Sequence, residues 1–405
     1  MSIQSLNPIR IEAQSCFASI ICSPAPSLSI SVEIFQSYKQ LPTAWDVMLP
    51  AGHKFKTANL AYIEDSKIDN LTHYYGVLTV NGVMVGGMYL QRLAVNKDHY
   101  PDFSNTGTIA GHVYKTVSKR SYGLLVAGNL FYTGFPSYWF NNQAISSDIF
   151  YKAFKQAINK LLSATKSSAL MLKDVDVQLK KQLETKNWGF THMGEDIFMQ
   201  MTLNPGWKTL DDYTKSLTKK YVARIKKMQV GRWELTTRLL NLSEIEAYLP
   251  DIERLYLDVC GHSSVKIGIL NGDYFVNMKN VLGEKFEVWG WFKGDKMMAF
   301  TTSVIENGDY EVYYIGYSEA DNKTYCIYPN ILLHGVERSI LLHKNTLKLG
   351  RTALEAKAII GCKPVYLDNY IKLKSKPMQL GLKYMLKAFA TERGYEWKKR
   401  NPFKD

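Results

Sequence analysis

One spacing, met twice, constrains this chain more than anything else in it. From Phe150, at the start of an apolar helical stripe, to Ala169, at the start of a β-rich run, is 19 residues, and from Ile327 to Thr346 is again 19. Around each spacing the same order of segments is predicted. The first copy opens with Tyr74–Leu90, two β-rich runs around Asn81-Gly82, the strongest short hairpin signal. A strand over Tyr122–Tyr132 follows, then a helix capped by Ser147 or Asp148. That helix carries apolar residues at Ile149, Phe150, Ala153, Phe154, Ala157, Ile158, Leu161 and Leu162, one face at the helical period. The copy ends with a strand at Ala169–Leu172, a helix from about Asp176 to Thr185, and Phe190–Leu203, read as two strands around a turn at Gly194-Glu195-Asp196. The second copy runs as a hairpin over Phe286–Val304 turning at Gly294-Asp295, a strand at Tyr310–Tyr317 and a helix near Pro329. A strand at Thr346–Leu349, a short helix from Thr352 to Ile360 and a last strand region at Val365–Leu373 complete it. Identity between the copies is negligible, so what repeats is pattern. Strands alternating with helices, twice over, give an α/β class with two tandem domains.

The remaining segments set the boundaries. Residues 1–31 are an N-terminal arm rich in Ser and Pro, 32–206 a first domain, 207–232 a basic linker helix, 233–375 a second domain, and 376–405 a C-terminal helix and basic tail. The chain has 405 residues, 46% of them hydrophobic and 21% charged, a globular balance with room for two cores. No apolar run reaches the ~18 residues a membrane span needs. The short run Phe17–Cys22 sits beside Arg10, Glu12 and two prolines, poor company for a secretory signal. Cys16, Cys22, Cys260, Cys326 and Cys362 are odd in number and fit no disulfide or zinc spacing, as expected of reduced thiols in the cytoplasm. His112, His262, His334 and His343 are isolated, so no metal is expected, and no dinucleotide or Walker loop is present.

The net charge of +13 is local. Residues 215–232 carry seven Lys or Arg and no acid, and residues 372–405 carry a net +7, which leaves the rest of the chain near neutrality. Two such patches suit a polyanion or an anionic membrane surface, or else are solvated faces that keep the chain soluble.

Two segments carry a resemblance. Leu183-Glu184-Thr185-Lys186-Asn187-Trp188-Gly189-Phe190 resembles the end of a GNAT fold, where a helix stops at a Gly-Phe pair before the last strands. Leu349-Gly350-Arg351-Thr352-Ala353-Leu354-Glu355-Ala356-Lys357, closed by Gly361, resembles the strand-to-helix segment of GNAT-like acetyltransferases grouped with cellulose-biosynthesis and Fem-type aminoacyltransferase proteins. Gly128-Asn129, Thr133-Gly134 and the ending from Trp397 to Lys404 also look like this group. The resemblance implies two tandem GNAT-like domains, each a mixed, largely antiparallel sheet flanked by helices. It implies a transferase using acyl-CoA, or aminoacyl-tRNA as the alternative donor. The chain departs from the pattern where GNAT enzymes cradle the coenzyme A diphosphate, offering Thr133-Gly134-Phe135-Pro136-Ser137 in the first half and residues 318–324 in the second, neither a glycine-rich loop.

Acyl transfer by direct attack needs a group to accept the acceptor's proton, one to protonate the leaving group, and donors for the oxyanion. Tyr313, Tyr314, Tyr325 and Tyr328 are candidate acids, with Tyr314 and Tyr325 preferred, although packing accounts for tyrosines in a chain holding 26 of them. Arg351 lies at a strand end, and with Lys357 and Asn322 it forms the expected donor contacts; Asn129, Gly134 and Lys348 are the expected substrate contacts. Thr352 and Glu355 read as a capping box. The expected function is transfer of an acyl or aminoacyl group to an amine or hydroxyl of a small-molecule, lipid or cell-envelope precursor. The expected place is the cytoplasm, peripheral at the inner face of the membrane, with no nucleic-acid partner except tRNA as donor. The rival reading is a non-catalytic GNAT-like protein docking on anionic membrane or RNA.

Overall fold

In the computed structural model, which describes residues 11–13, 29–95, 122–261, 268–392 and 397–404, the repeated pattern becomes two runs of strands of matching order within a 14-stranded sheet. The chain forms two compact units. One comprises residues 1–194, 265–268 and 368–390, and the other comprises 195–264, 269–367 and 391–405. Cys16, Cys22, His112, His262 and most of the N-terminal arm lie outside the described residues.

In the first unit, β1 (Ile11–Ala13), β2 (Ile30–Phe35), β3 (Leu71–Val80), β4 (Val83–Val95) and β5 (Tyr122–Ala127) follow one another as antiparallel neighbours. The short β6 (Tyr138–Phe140) pairs with β4. The β3–β4 hairpin turns at Asn81 (φ 49°) and Gly82 (φ 81°), the left-handed pair that an Asn-Gly turn supplies. The chain then crosses over through helix Ser147–Ala164 to β7 (Ala169–Val175), parallel to β5. Ser146, not Ser147 or Asp148, is the cap of that helix. Phe150, Ala153, Phe154, Ala157, Ile158, Leu161 and Leu162 are its buried face and meet Leu125, Leu170 and Leu172 from the sheet.

Helix Val177–Lys186, capped by the Asp176 carboxylate, ends with Asn187 in the left-handed conformation; the stop thus lies two residues before the Gly-Phe pair. The expected two strands around 194–196 are one strand, β8 (Thr191–Thr202). Gly194, at φ 90°, lies within it, and the chain passes from the first unit to the second there.

The second unit repeats the order. β9 (Thr236–Leu239), β10 (Phe286–Lys293), β11 (Lys296–Ile305) and β12 (Asp309–Tyr317) are antiparallel neighbours, and helix Ile327–Leu341 crosses over to β13 (Thr346–Gly350), parallel to β12. β14 (Lys363–Leu373) leads back to the first unit.

The last strand of each run is not the one next in sequence. β13 is bordered by the 199–202 end of β8, and β7 by the 368–373 end of β14. The strand order is β1-β2-β3-β4-β5-β7-β14 in the first unit and β9-β10-β11-β12-β13-β8 in the second. The basic stretch expected to be one linker helix is two, Leu210–Ser216 and Lys219–Met228, and their Tyr213, Leu217, Tyr221 and Ile225 belong to the second unit's core.

Candidate functional site

Among the described residues each unit contains one parallel strand pair, and in each the pairing stops early. In the second unit β12 and β13 are paired only over Asp309–Glu311 and Thr346–Lys348, after which β12 continues unpaired on that side to Tyr317. Between Thr301 and Ser303 the register of β11 with β12 slips by one residue, setting Tyr313 and Tyr314 opposite Thr302. The Thr302 hydroxyl accepts the Tyr314 N–H at 2.8 Å. The bulge turns both tyrosines toward helices Leu249–Gly261 and Gly272–Leu282. There the Tyr313 hydroxyl is 3.0 Å from that of Tyr274, and the Tyr314 ring packs on Tyr256 and Phe275.

Tyr325 lies on the opposite face, among the core residues beneath helix Ile327–Leu341, and its hydroxyl accepts the Lys293 ammonium at 2.6 Å. Tyr314 and Tyr325 are therefore not brought together.

The end of β13 gathers a different set. Lys357, on helix Leu354–Ile359, is only 3% exposed, and its ammonium makes no hydrogen bond or ion pair among the described residues. A Cβ at Gly350, the last residue of β13, would stand 4.0 Å from its Nζ. Burial lowers the Lys357 ammonium to about 8, and the same burial pushes the adjoining Cys362 thiol up to about 12. The Tyr328 hydroxyl, also near Cys362, is buried without a partner, and burial raises its pKa, so it stays a neutral O–H.

The other expected donor contacts are already engaged. Arg351 pairs with Asp196, and the Asn322 side chain accepts the Tyr328 N–H at 2.9 Å. Lys348 pairs with Asp309 at 2.6 Å; burial pulls its pKa down, but that bond and neighbouring carboxylates outweigh it and the net shift is upward. The capping box at Thr352 and Glu355 does not form, because Ala353 takes φ 51° and becomes the cap itself, while Glu355 pairs with Arg400. Residues 319–324 are not an open loop but most of helix Glu319–Tyr325, whose Asp321 N–H donates to the Ser318 hydroxyl and whose first turn holds Glu319 and Asp321.

The first unit's parallel pair, Leu124–Ala127 with Ala169–Leu172, likewise stops short, and the chain after β5 forms a tightly bonded turn. Asn129, fully buried, accepts the Phe131 and Tyr132 N–H groups at 2.8 and 3.2 Å, and its Nδ2 has no partner. Lys173 donates to the Tyr132 carbonyl at 2.9 Å and to Asp174 at 2.7 Å, and Asp174 accepts the Gly134 N–H at 2.8 Å. Asn129 and Gly134 thus share one turn.

Behind that turn, Leu130 N–H donates to Gln91 Oε1 at 2.7 Å, Gln91 Nε2 donates to the Tyr89 hydroxyl at 2.9 Å, and that hydroxyl is 2.9 Å from His73 Nδ1. Burial holds His73 at about 4, so its ring is neutral at pH 7 and accepts the Tyr89 proton. Sequence reasoning missed Lys173, Asp174, Gln91, Tyr89 and His73. The available signal was a Lys-Asp pair closing the otherwise apolar strand Ala169–Val175.

A separate cleft of about 240 Å³ in the second unit is lined by Arg232, Trp289, Trp291, Asn330, His334 and Arg338, among others. Asn330 Oδ1 and His334 Nε2 are buried there without partners. Among the described residues no cluster of three or more His, Cys, Asp or Glu could hold a metal ion, and no helix is long and apolar enough to cross a membrane.

No family model matches the chain, and no curated protein does. Solved structures do match. A tandem GNAT protein from the clavulanic acid biosynthesis pathway, without AcCoA, is similar over 85% of this chain and 99% of its own, with a TM-score of 0.51 at 9% identity. FemX is similar over 80% of this chain and 94% of its own, with a TM-score of 0.48 at 11% identity. A probable N-acyltransferase from Enterococcus faecalis V583 is similar over 84% of this chain and 72% of its own, with a TM-score of 0.45 at 8% identity. The first of these likenesses is one of fold: the chain shares, over most of its length, the fold of a tandem GNAT protein.

Proposed function

We propose that this chain is an acyltransferase that moves an acyl or aminoacyl group to an amine or hydroxyl of a small-molecule, lipid or cell-envelope precursor by direct attack, at the inner face of the membrane in the cytoplasm. The observation that carries the reading is Lys357, a 3% exposed lysine whose ammonium lies beside Gly350, the last residue of the strand that separates from its parallel neighbour. Keeping a cation in so dry a place is costly, and a site that must meet developing negative charge is where such a group has use. The tandem GNAT fold supports the same chemistry.

In this reading Lys357 gives its proton to the leaving group and regains one from the attacking amine, a cycle suited to a group near 8. The Tyr328 O–H, kept neutral by burial, donates to the carbonyl oxygen as it becomes anionic. Tyr314 and Tyr325 act as positioning groups in their separate clusters, while Arg351, Asn322, Lys348, Asn129 and Gly134 shape the two strand ends. A coenzyme A diphosphate does not fit either expected turn as folded. Glu319 and Asp321 stand at one, and at the other the Asp174 carboxylate already holds the Gly134 N–H.

The test supplies labelled acyl-CoA and, separately, aminoacyl-tRNA with a panel of amine acceptors. Transfer from one donor is expected, falling about 100-fold in Lys357→Met and about tenfold in Tyr328→Phe. Absence of both transfer and binding with either donor would sink the reading. It would leave the second one, a non-catalytic binding protein docking on anionic membrane or RNA, which the closure of both turns by carboxylates favours.

A further inference from the structure

The second unit brings together basic residues that lie far apart in sequence. Helix Lys219–Met228 contains no acid and buries Tyr221 and Ile225. Its exposed stripe is Lys219, Lys220, Lys226 and Lys227, none of them ion-paired among the described residues. The C-terminal segment lies alongside the turn that precedes this helix. The Thr218 N–H donates to the Pro402 carbonyl at 2.9 Å and the Lys404 N–H to the Ser216 carbonyl at 2.9 Å, which adds the exposed Lys404 ammonium to the same end. At the helix's other end the stripe does not fade into polar residues. Val230, in the turn just past the helix's cap at Gln229, is 59% exposed, and Trp233 is 89% exposed.

We propose that this face docks the protein on an anionic lipid bilayer, with the lysines over the headgroups and Val230 and Trp233 in the interfacial layer. An exposed indole, with the Arg232 guanidinium over its ring, following a lysine stripe is the combination that a membrane interface rewards: indole rings concentrate at the headgroup level, and each Lys near an anionic surface adds attraction. RNA would use the lysines, and an indole could stack on a base, but an exposed aliphatic Val230 has no partner there. The proposal gives the inner-membrane placement suggested above a physical surface and does not depend on acyl transfer taking place.

The experiment is flotation of the full chain with phosphatidylglycerol-containing vesicles and with pure phosphatidylcholine vesicles, across a salt series, with tRNA as competitor. The wild type is expected to float with the anionic vesicles alone, in a salt-sensitive manner. The double change Lys226→Glu, Lys227→Glu should weaken binding by at least ~10-fold. Trp233→Ala should weaken it several-fold with the salt dependence retained, and all variants should keep the wild-type melting temperature and the activity found with soluble acceptors. Equal binding to neutral vesicles, no flotation, unchanged binding by the double variant, or binding of tRNA without binding of vesicles each overturns the proposal. Loss of transfer activity with flotation intact would instead count against the catalytic reading alone.

Discussion

Glu287 on β10 receives the guanidinium of Arg338 from helix Ile327–Leu341, and the same carboxylate accepts Trp289 Nε1 at 2.8 Å and the Tyr310 hydroxyl at 2.9 Å. One acid, 5% exposed, thereby ties the crossover helix to two strands of the second unit. Removing one member of such a pair leaves the other charged and buried. Arg338→Met is expected to cost about 3 kcal/mol, read as a lower denaturant midpoint at unchanged slope. Burial alone would raise the Glu287 pKa, but Arg338 and the two other donors outweigh it and hold the carboxyl below its ordinary value. Its contribution is therefore complete above the ordinary glutamate range and is lost as pH falls through the lowered value; in Glu287→Gln that part of the acid limb should flatten.

Lys357 works in the opposite sense. Its folded value near 8 lies below the usual 10.5, so between those two pH values the unfolded chain holds a proton that the folded chain has released. Stability should therefore rise from pH 8 toward 10.5, by at most about 3 kcal/mol. Lys357→Met should abolish that rise and melt higher than the wild type at pH 7, even as activity is lost. A melting series of both proteins across this range, with no such difference, would count against an ammonium held down by burial.

His73 and His334 are each held at about 4 by burial, against an ordinary 6.5. The unfolded chain binds the extra protons between those values, so stability should fall as pH drops from 6.5 to 4. His73→Asn should remove part of this loss. Ring signals in NMR should show both imidazoles still neutral at pH 5.5 while the protein remains folded.

The Gln91 amide closes the buried relay from Leu130 to His73, so Gln91→Leu deprives the Leu130 N–H and the Tyr89 hydroxyl of a partner. A cost of about 2–4 kcal/mol is expected, and Tyr89→Phe, which deprives Gln91 Nε2 and His73 Nδ1 in the same way, should cost a similar amount. Comparing the two variants by chemical unfolding separates the relay from simple packing.

Gly231 joins the basic helix to Trp233 at φ 80°, and a Cβ there would meet Tyr325 backbone atoms at 2.8 Å. Backbone cannot swing aside as a side chain can. Gly231→Ala should lower the melting temperature by several degrees, consistent with about 2 kcal/mol in a unit of this size.

Much of the architecture was legible because it rests on local signals. Asn81-Gly82 predicted its hairpin through the left-handed conformations both residues adopt, and the apolar offsets from Ile149 to Leu162 predicted a helix face that is indeed buried. The exchange of last strands left no trace in sequence: β8 and β14 pass over the strands nearest to them in the chain and pair with partners over a hundred residues away, a choice that no local pattern marks. The capping box at Thr352 failed because Ala353, a residue with no turn signature, takes the left-handed conformation. Lys357 was visible as a residue but not as a buried one: a lysine in a short helix reads as solvated until the packing around Gly350 and Cys362 is known.

The exchanged strands also bear on how the protein comes into being. The first unit's run of strands borders β7 with residues 368–373, so a ribosome must deliver nearly the whole chain before that run is complete. The usual order of synthesis, in which the leading domain folds while the rest is still being made, cannot run to its end here. A cut between the halves would give two fragments that each lack a border strand, so neither half could complete its run of strands alone.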